Sequence, residues 1–175
     1  MSPIIHTLEH GQLLPDDYAA IVALCSRAYK CDFAPYLALL PAATHVVLRF
    51  HGQIVSHAAW ITRWLQPPGL PLLRTAYVEA VATEPFYAKR GYASAVMREL
   101  QRQIITFEVG ALSPATYSVY ERLGWERWYG PLFARKDGGL IALPDEEAMI
   151  LRFAHSPALD LNAPLSIEWR DGEVW

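Results

Sequence analysis

The chain is poor in cysteine and in charged residues, and both shortages exclude certain classes of protein. Only Cys25 and Cys31 are present among 175 residues, so a disulfide framework is excluded and a reducing, cytoplasmic setting is expected. Apolar residues make up 53% and charged residues only 19%, which argues against intrinsic disorder. The length predicts a single domain over residues 1–175.

Long apolar runs and basic stripes are also missing. The longest uncharged stretch, residues 33–48, is shorter than the ~18 apolar residues of a spanning helix, so no membrane segment is expected. The first residues have no basic start and no apolar core, so no signal peptide is predicted. The net charge of −3, without a basic stripe, argues against nucleic-acid binding.

The charge is unevenly distributed along the chain. Residues 1–144 have a balance of +2, whereas residues 145–175 have a balance of −5. This acidic end is either a solvated surface or a region that attracts a cation.

The hydrophobic pattern predicts the element order β-α-α-β-β-β-α-β-α-β-β, which is a mixed α/β (α+β) fold. A helix opens at Pro15, a second short helix ends before Pro41, and an amphipathic helix begins at Tyr92. A further helix is predicted over 115–123, with Gly124 just beyond its end. Strands are predicted at 3–8, 45–50, 54–65, 72–83, 105–112, 125–133 and 149–153.

One strand–loop–helix element is the most informative stretch. Residues 77–83 form an apolar strand, and Gly91 precedes a helix that starts at once. The first amides of a helix lack intrahelical partners, and small residues there let a phosphate approach. Lys89 and Arg90 add positive charge at the same place. The element is either a pyrophosphate site or an ordinary strand-to-helix turn.

These residues resemble the cofactor motif of the Gcn5-related N-acetyltransferase (GNAT) superfamily. The run Ala88-Lys89-Arg90-Gly91-Tyr92-Ala93 has its Gly and small residue, and Ala88 replaces an Arg or Gln. Tyr120, Gly124 and Trp125 match a second motif of the superfamily. The resemblance implies a central mixed sheet, mostly antiparallel, with flanking helices and acetyl-CoA as cofactor.

Several stretches also resemble the aminoglycoside 2′-N-acetyltransferases, one branch of that superfamily. The most specific is the terminal run Trp169-Arg170-Asp171-Gly172-Glu173-Val174-Trp175. The others are Cys31–Phe33, Ile54–Ala59, Tyr77–Ala82, Gly110–Ser113, and Gly124-Trp125 with Trp128 and Gly130-Pro131. The resemblance implies acetyl transfer to an amine of a cationic sugar by direct attack in a ternary complex, and a homodimer.

Carried over residue by residue, the resemblance implies Glu79 as the general base and Tyr120 as the general acid. It implies cofactor contacts from the pantetheine segment (Val81, Ala82, Thr83) and the pyrophosphate loop (Ala88, Lys89, Arg90, Gly91, Tyr92, Ala93). It implies substrate contacts from Asp32, Glu79, Ser113, Glu173 and the carboxylate of Trp175.

Each implied role has a plainer structural alternative. Glu79 could lie on the solvent face of an edge strand, and Tyr120 could be a core residue whose hydroxyl reaches solvent. Ser113 could be a helix cap, and Trp175 could simply pack against a neighbour. The six histidines are scattered, so no metal site is predicted.

Two other functions fit the same sequence. One is a GNAT acetyltransferase for a different small amine. The other is a catalytically weak acyl-CoA-binding module, which Ala88 favours. Either is distinguished from the aminoglycoside enzyme by acetyl-CoA titration followed by turnover on a panel of amines.

Overall fold

Strands β3 and β4 are the longest strands of the computed structural model, which describes residues 2–40, 42–172 and 174–175. The helices are α1 (Pro15–Tyr29), α2 (Ala34–Ala38), α3 (Tyr92–Gln103) and α4 (Tyr117–Glu121). The strands are β1 (Ile4–Leu8), β2 (Thr44–Phe50), β3 (Gln53–Gln66), β4 (Leu73–Thr83), β5 (Val109–Leu112), β6 (Glu126–Arg127), β7 (Leu132–Lys136), β8 (Gly139–Ala142), β9 (Met149–Arg152) and β10 (Leu165–Glu168).

The chain divides into two units, and both β3 and β4 continue from one unit into the other. The first unit contains the described residues up to Ile61 together with Val78–Gln103. The second contains Thr62–Tyr77 and Ile104–Trp175. Whether residues 1–175 act as one domain stays a prediction.

The first unit is built on β1, β2 and the adjoining parts of β3 and β4. β1 pairs antiparallel with β2, and β2 pairs antiparallel with β3. α1 begins at Pro15 with Asp16 and Asp17 in its first turn, where the helix dipole favours acids, and it ends at Lys30 in the left-handed conformation (φ 57°). Its core contains Ile21, Leu24, Cys25, Phe33, Leu37, Leu40, Ala43, Val47, Ile54, Ala59, Ala80 and Ala82.

The second unit contains the remaining parts of β3 and β4 and six shorter strands. Its strand order is β6-β9-β5-β4-β3-β10-β7-β8. β5 runs parallel to β4 and β10 runs parallel to β7, whereas β9 is antiparallel to both β5 and β6. The predicted mixed and mostly antiparallel sheet is therefore confirmed, as is the mixed α/β class.

The element bounds were wrong at two predicted strands. The strand predicted over 105–112 begins only at Val109, because the chain still turns after α3, with Phe107 N–H bonded to the Ile104 carbonyl at 2.9 Å. The strand predicted over 125–133 is divided into β6 and β7. Between them the amides of Tyr129 and Gly130 bind the Leu161 carbonyl instead of a neighbouring strand.

Two further strands were not predicted. β8 follows the turn at Gly138, and β10 lies in the C-terminal segment, for which the sequence predicts no strand. The helix predicted over 115–123 is only Tyr117–Glu121, although Gly124 does adopt the expected left-handed conformation (φ 88°) beyond it. No helix in the described part of the chain is long and apolar enough to cross a membrane.

Candidate active site

An irregular position interrupts β4 inside the predicted pantetheine segment. Ala80 has φ 53°, which a residue with a Cβ rarely adopts, and Glu79 beside it is half-buried. The Ala80 carbonyl accepts a hydrogen bond from His57 Nδ1 at 2.8 Å and lies 4.0 Å from Cys25 Sγ. Such non-helical positive φ values persist only where neighbouring groups hold them.

Side chains from α1 and β3 also bind the next carbonyls of β4. Tyr29 donates its hydroxyl to the Val81 carbonyl at 2.9 Å, and Ser56 donates to the Ala82 carbonyl at 3.2 Å. Ser56 Oγ also lies 2.8 Å from Thr83 Oγ1. The register of β4 with β5 ends at Tyr77, so the segment beyond it keeps β3 as its strand neighbour among the described residues. This leaves one edge of β4 open to an extended ligand.

The predicted pyrophosphate loop, Ala88–Ala93, follows directly. Lys89 (φ 62°) and Gly91 (φ 81°) turn the chain sharply before α3, and a Cβ at Gly91 would meet nothing within 4 Å. α3 is an amphipathic helix as predicted, with Val96, Met97 and Leu100 fully buried. The first amides of α3 therefore lie beside a turn that is open and sterically unhindered.

Arg90 is held at this turn by aromatic rings. Its guanidinium lies 5.2 Å from the ring centroid of Tyr87 and 5.8 Å from that of Phe86. Within the described part of the chain, no acidic side chain pairs with Arg90 or Lys89. Two uncompensated positive charges beside a helix N-terminus fit a pyrophosphate.

Asp32 lies between α1 and α2 in the same unit. It is exposed, and its Oδ1 accepts the Ala34 N–H at 3.1 Å, which supports the start of α2. Cys31 beside it is a free, exposed thiol, whereas Cys25 is in the core, where burial raises its pKa to about 12. The two thiols are thus a loop and a core residue, as predicted.

In the second unit, Tyr120 is a nearly buried residue of α4. Its ring packs edge-on against Trp125 with centroids 6.3 Å apart, and burial raises the pKa of its hydroxyl to about 12. The phenol is therefore protonated at neutral pH, the state that a proton donor needs. Ser113 is exposed at the end of β5, and the helix-cap alternative for it is wrong because α4 is capped at Thr116.

Trp175 is held in place by packing, as predicted. Trp175 is 3% exposed and packs edge-on against Tyr77, with ring centroids 6.5 Å apart. The buried Arg63 donates to the Val174 carbonyl at 3.1 Å and forms an ion pair with Glu168 at 2.7 Å. The packing alternative for Trp175 is thus realised. Glu173 lies outside the described residues.

The acidic end is partly neutralised within its own unit. Glu168 also lies 3.8 Å from Arg135, and Glu147 pairs with Arg127 at 3.3 Å. The formal balance of residues 145–175 therefore overstates the charge available to an external cation.

The sequence does not predict two residues that support these elements. His57 belongs to a stretch that resembles the family but has no predicted role of its own, and Arg63 has no predicted role. A signal was present for Arg63, since a cation inside the apolar run from Trp60 to Leu65 requires a buried partner. Nothing in the sequence pairs His57 with Ala80, because that bond joins residues far apart in the chain.

Comparisons with known proteins agree with this geometry. The family model described as an acetyltransferase (GNAT) domain matches residues 12–128. An aminoglycoside 2′-N-acetyltransferase of Mycolicibacterium fortuitum is 33% identical over 138 residues, which is 75% of this chain and 70% of that protein.

Solved structures share the fold at lower identity. The GNAT family N-acetyltransferase YhbS from Escherichia coli, in complex with CoA, has a TM-score of 0.70 and 18% identity, covering 97% of this chain and 90% of its own. Eis1 from Mycobacterium abscessus has a TM-score of 0.63 and 20% identity over 74% of this chain. The match covers only 32% of Eis1.

Proposed function

Since the chain belongs to the GNAT acetyltransferase family, we propose that it acetylates an amine of a cationic small molecule, namely the 2′-amine of an aminoglycoside. Family membership confirms the predicted enzyme class, an acyl-CoA-dependent N-acetyltransferase, and acetyl-CoA as its cofactor. The observation that carries the substrate is the 33% identity to an aminoglycoside 2′-N-acetyltransferase. A homodimer in the cytoplasm is part of this proposal.

The first unit offers what acetyl-CoA needs. The open edge of β4 over Val81–Thr83 can pair with an amide-bearing arm, and the turn from Ala88 to Ala93 can take a pyrophosphate. Ala88 lacks the polar side chain of the family motif. The α3 amides, Lys89 and Arg90 remain to bind the phosphates.

The proposed reaction is direct transfer. Acetyl-CoA, when bound, supplies an activated acetyl thioester. An aliphatic ammonium cannot attack, so Glu79 accepts its proton, through water, and leaves a nucleophilic amine. The amine nitrogen would bond to the acetyl carbon as the carbon–sulfur bond breaks, and the extra proton left on the acylated nitrogen would pass to solvent water. Tyr120 donates its phenolic proton to the departing sulfur, and Asp32, Ser113, Glu173 and the Trp175 carboxylate are proposed to hold the cationic substrate.

The test is acetyl-CoA turnover on a panel of amines, with the acetylated product mapped by mass spectrometry. Acetylation at the 2′-amine of aminoglycosides supports the proposal. Acetylation of other amines alone supports the same enzyme class with another substrate. Acetyl-CoA binding without turnover on any amine supports the acyl-CoA-binding module, which the loss of a polar side chain at Ala88 favours.

The role of Glu79 has a separate test. Glu79→Gln should lower kcat at pH 7 by roughly 10²–10⁴-fold, because it removes the proton acceptor, and alkaline pH should restore part of the rate. The exposed Glu121→Gln is the control and should keep kcat. Full activity of Glu79→Gln at neutral pH would show that the base is another group.

A further inference from the structure

A cavity of about 410 Å³ lies in the first unit, beside the start of α1 and the end of α2. Its volume is in the ~300–1,000 Å³ range of small-molecule pockets. Leu37, Leu40 and His45 are its buried lining residues, and His10 and Tyr18 are exposed. None of these residues has a role in the proposed acetyl transfer.

A chain of two hydrogen bonds leads from β4 to this cavity. The Ala80 carbonyl can only accept, so the His57 Nδ1 that lies 2.8 Å from it must bear a hydrogen. Burial lowers the pKa of His57 to about 3, so the ring is neutral and its Nε2 can only accept. His45 Nδ1 lies 2.9 Å from that Nε2 and must therefore be the donor.

The tautomer of His45 follows from this chain. Burial, together with the smaller effect of nearby His10, lowers the pKa of His45 to about 4, so the ring is neutral. Its hydrogen is on Nδ1, which leaves Nε2 as a bare acceptor. No described residue donates to that nitrogen, and His45 lines the cavity, so a molecule inside the cavity can donate to it. A molecule that displaced water from the cavity without donating would leave this acceptor unsatisfied, at a cost of about 1–3 kcal/mol.

The residues that line the cavity also determine which ligand charge the cavity can accommodate. The described residues that line the cavity are aliphatic or aromatic apart from the two imidazoles, and none of them has a carboxylate or a guanidinium. An ammonium would have no counter-charge, and an anion would face the lone pair of His45. An uncharged molecule avoids both costs.

We propose that this cavity binds a small uncharged molecule with an apolar body and one hydroxyl or N–H group that donates to His45 Nε2. The Leu37 and Leu40 side chains pack against the apolar body. His10 and Tyr18 lie at the exposed entrance. The site is separate from the proposed acetyl-transfer residues, so binding there does not depend on the substrate assignment.

Phenol and toluene test the proposal on the intact protein. The two probes are similar in size, but only phenol has a donor. Imidazole ¹⁵N NMR of the labelled chain should show the His45 Nε2 resonance moving with phenol and saturating with a Kd of about 1 mM or below. Toluene should bind at least about fivefold more weakly, because it lacks the hydrogen bond.

A cavity-filling variant tests the location. Ala38 is exposed and lines the cavity, so Ala38→Trp should raise the phenol Kd at least about tenfold while His45 keeps its bond to His57. Ala19→Trp, at an exposed position of α1 outside the lining, is the control and should leave the Kd unchanged. The proposal is overturned if phenol leaves His45 Nε2 unmoved, if toluene binds equally well, or if Ala38→Trp still binds phenol.

Discussion

At the scale of single residues, His57 supports the irregular backbone of β4. Its ring is fully buried in the first unit, where it donates to Ala80 and accepts from His45. The other titratable groups close to this pair are Cys25, whose thiol also faces Ala80, and His10, which lies beside His45. A neutral imidazole pair therefore holds the backbone next to the proposed base, Glu79.

This arrangement predicts a loss of stability in acid. The pKa values of His57 and His45 are lowered to about 3 and about 4, whereas unfolded imidazoles titrate near 6.5. As pH falls from 6.5 towards 4, the unfolded chain gains protons that the folded chain does not. The free energy of unfolding should fall by on the order of 6 kcal/mol over this window, roughly half of it from each imidazole.

Urea unfolding at a series of pH values measures this slope. His51→Gln, which removes an exposed imidazole, is the control and should leave the slope unchanged. If NMR titration shows His45 and His57 becoming protonated near pH 6.5 in the folded protein, the buried neutral pair is refuted.

Gly130 is a residue-scale constraint of another kind. A Cβ there would lie 1.9 Å from the Ala163 carbonyl oxygen, and Gly130 N–H itself bonds to Leu161. Gly130→Ala should therefore destabilise the protein by about 3 kcal/mol, measured as a lower urea midpoint. Gly11→Ala, where a Cβ would meet nothing within 4 Å, should be close to neutral. Equal midpoints for the two variants would contradict the close approach.

At the scale of elements, the N-terminus of α3 carries the proposed phosphate site. Arg90→Gln should raise the Kd for CoA about fivefold at low salt, because it removes a charge beside the first helix amides. Arg98→Gln makes the same charge change two turns along α3 and should alter the Kd less than about twofold. Isothermal titration calorimetry measures both, and an equal effect of the two changes would argue against a phosphate at this turn.

The sequence predicted α1 and α3 well, because both have a strong apolar period and clear ends. Pro15 starts α1, and the pattern through Val96, Met97 and Leu100 marks α3. Short strands were predicted less well. β6, β8 and β10 have no more than four residues each. β6 and β10 bond to strands distant in sequence, whereas β8 forms a hairpin with β7. A pattern of two to four residues carries too little information to assign such pairing.

At the scale of the whole molecule, the predicted site residues are divided between the two units. Glu79, the pantetheine segment and the pyrophosphate loop belong to the first unit, and Tyr120, Ser113 and Trp175 to the second. Trp175 packs on Tyr77, and its proposed contact with the substrate can be tested separately from that packing.

Deleting Trp175 tests whether its end of the chain contacts substrate. The deletion should raise the KM for an aminoglycoside at least about fivefold more than the KM for acetyl-CoA, because a charge for the polycation is displaced. Trp175→Phe keeps an aromatic ring and the terminal carboxylate and should leave both KM values nearly unchanged. Equal effects of the deletion on the two KM values would assign Trp175 to packing alone.

The sequence by itself determined the fold class and the enzyme family, because these depend on local periods and closely spaced motifs, and it predicted the residues of the proposed cofactor turn. Only the tertiary structure decided how those residues are supported. His57 reaches Ala80 from another strand, Tyr29 reaches Val81 from α1, and Arg63 holds both Glu168 and the Val174 carbonyl. Each contact joins residues more than twenty positions apart, and no local pattern specifies such a pair. For the same reason, the sequence could not predict that His45 Nε2 is a free acceptor. That state depends on contacts among two imidazoles and one carbonyl in the folded protein.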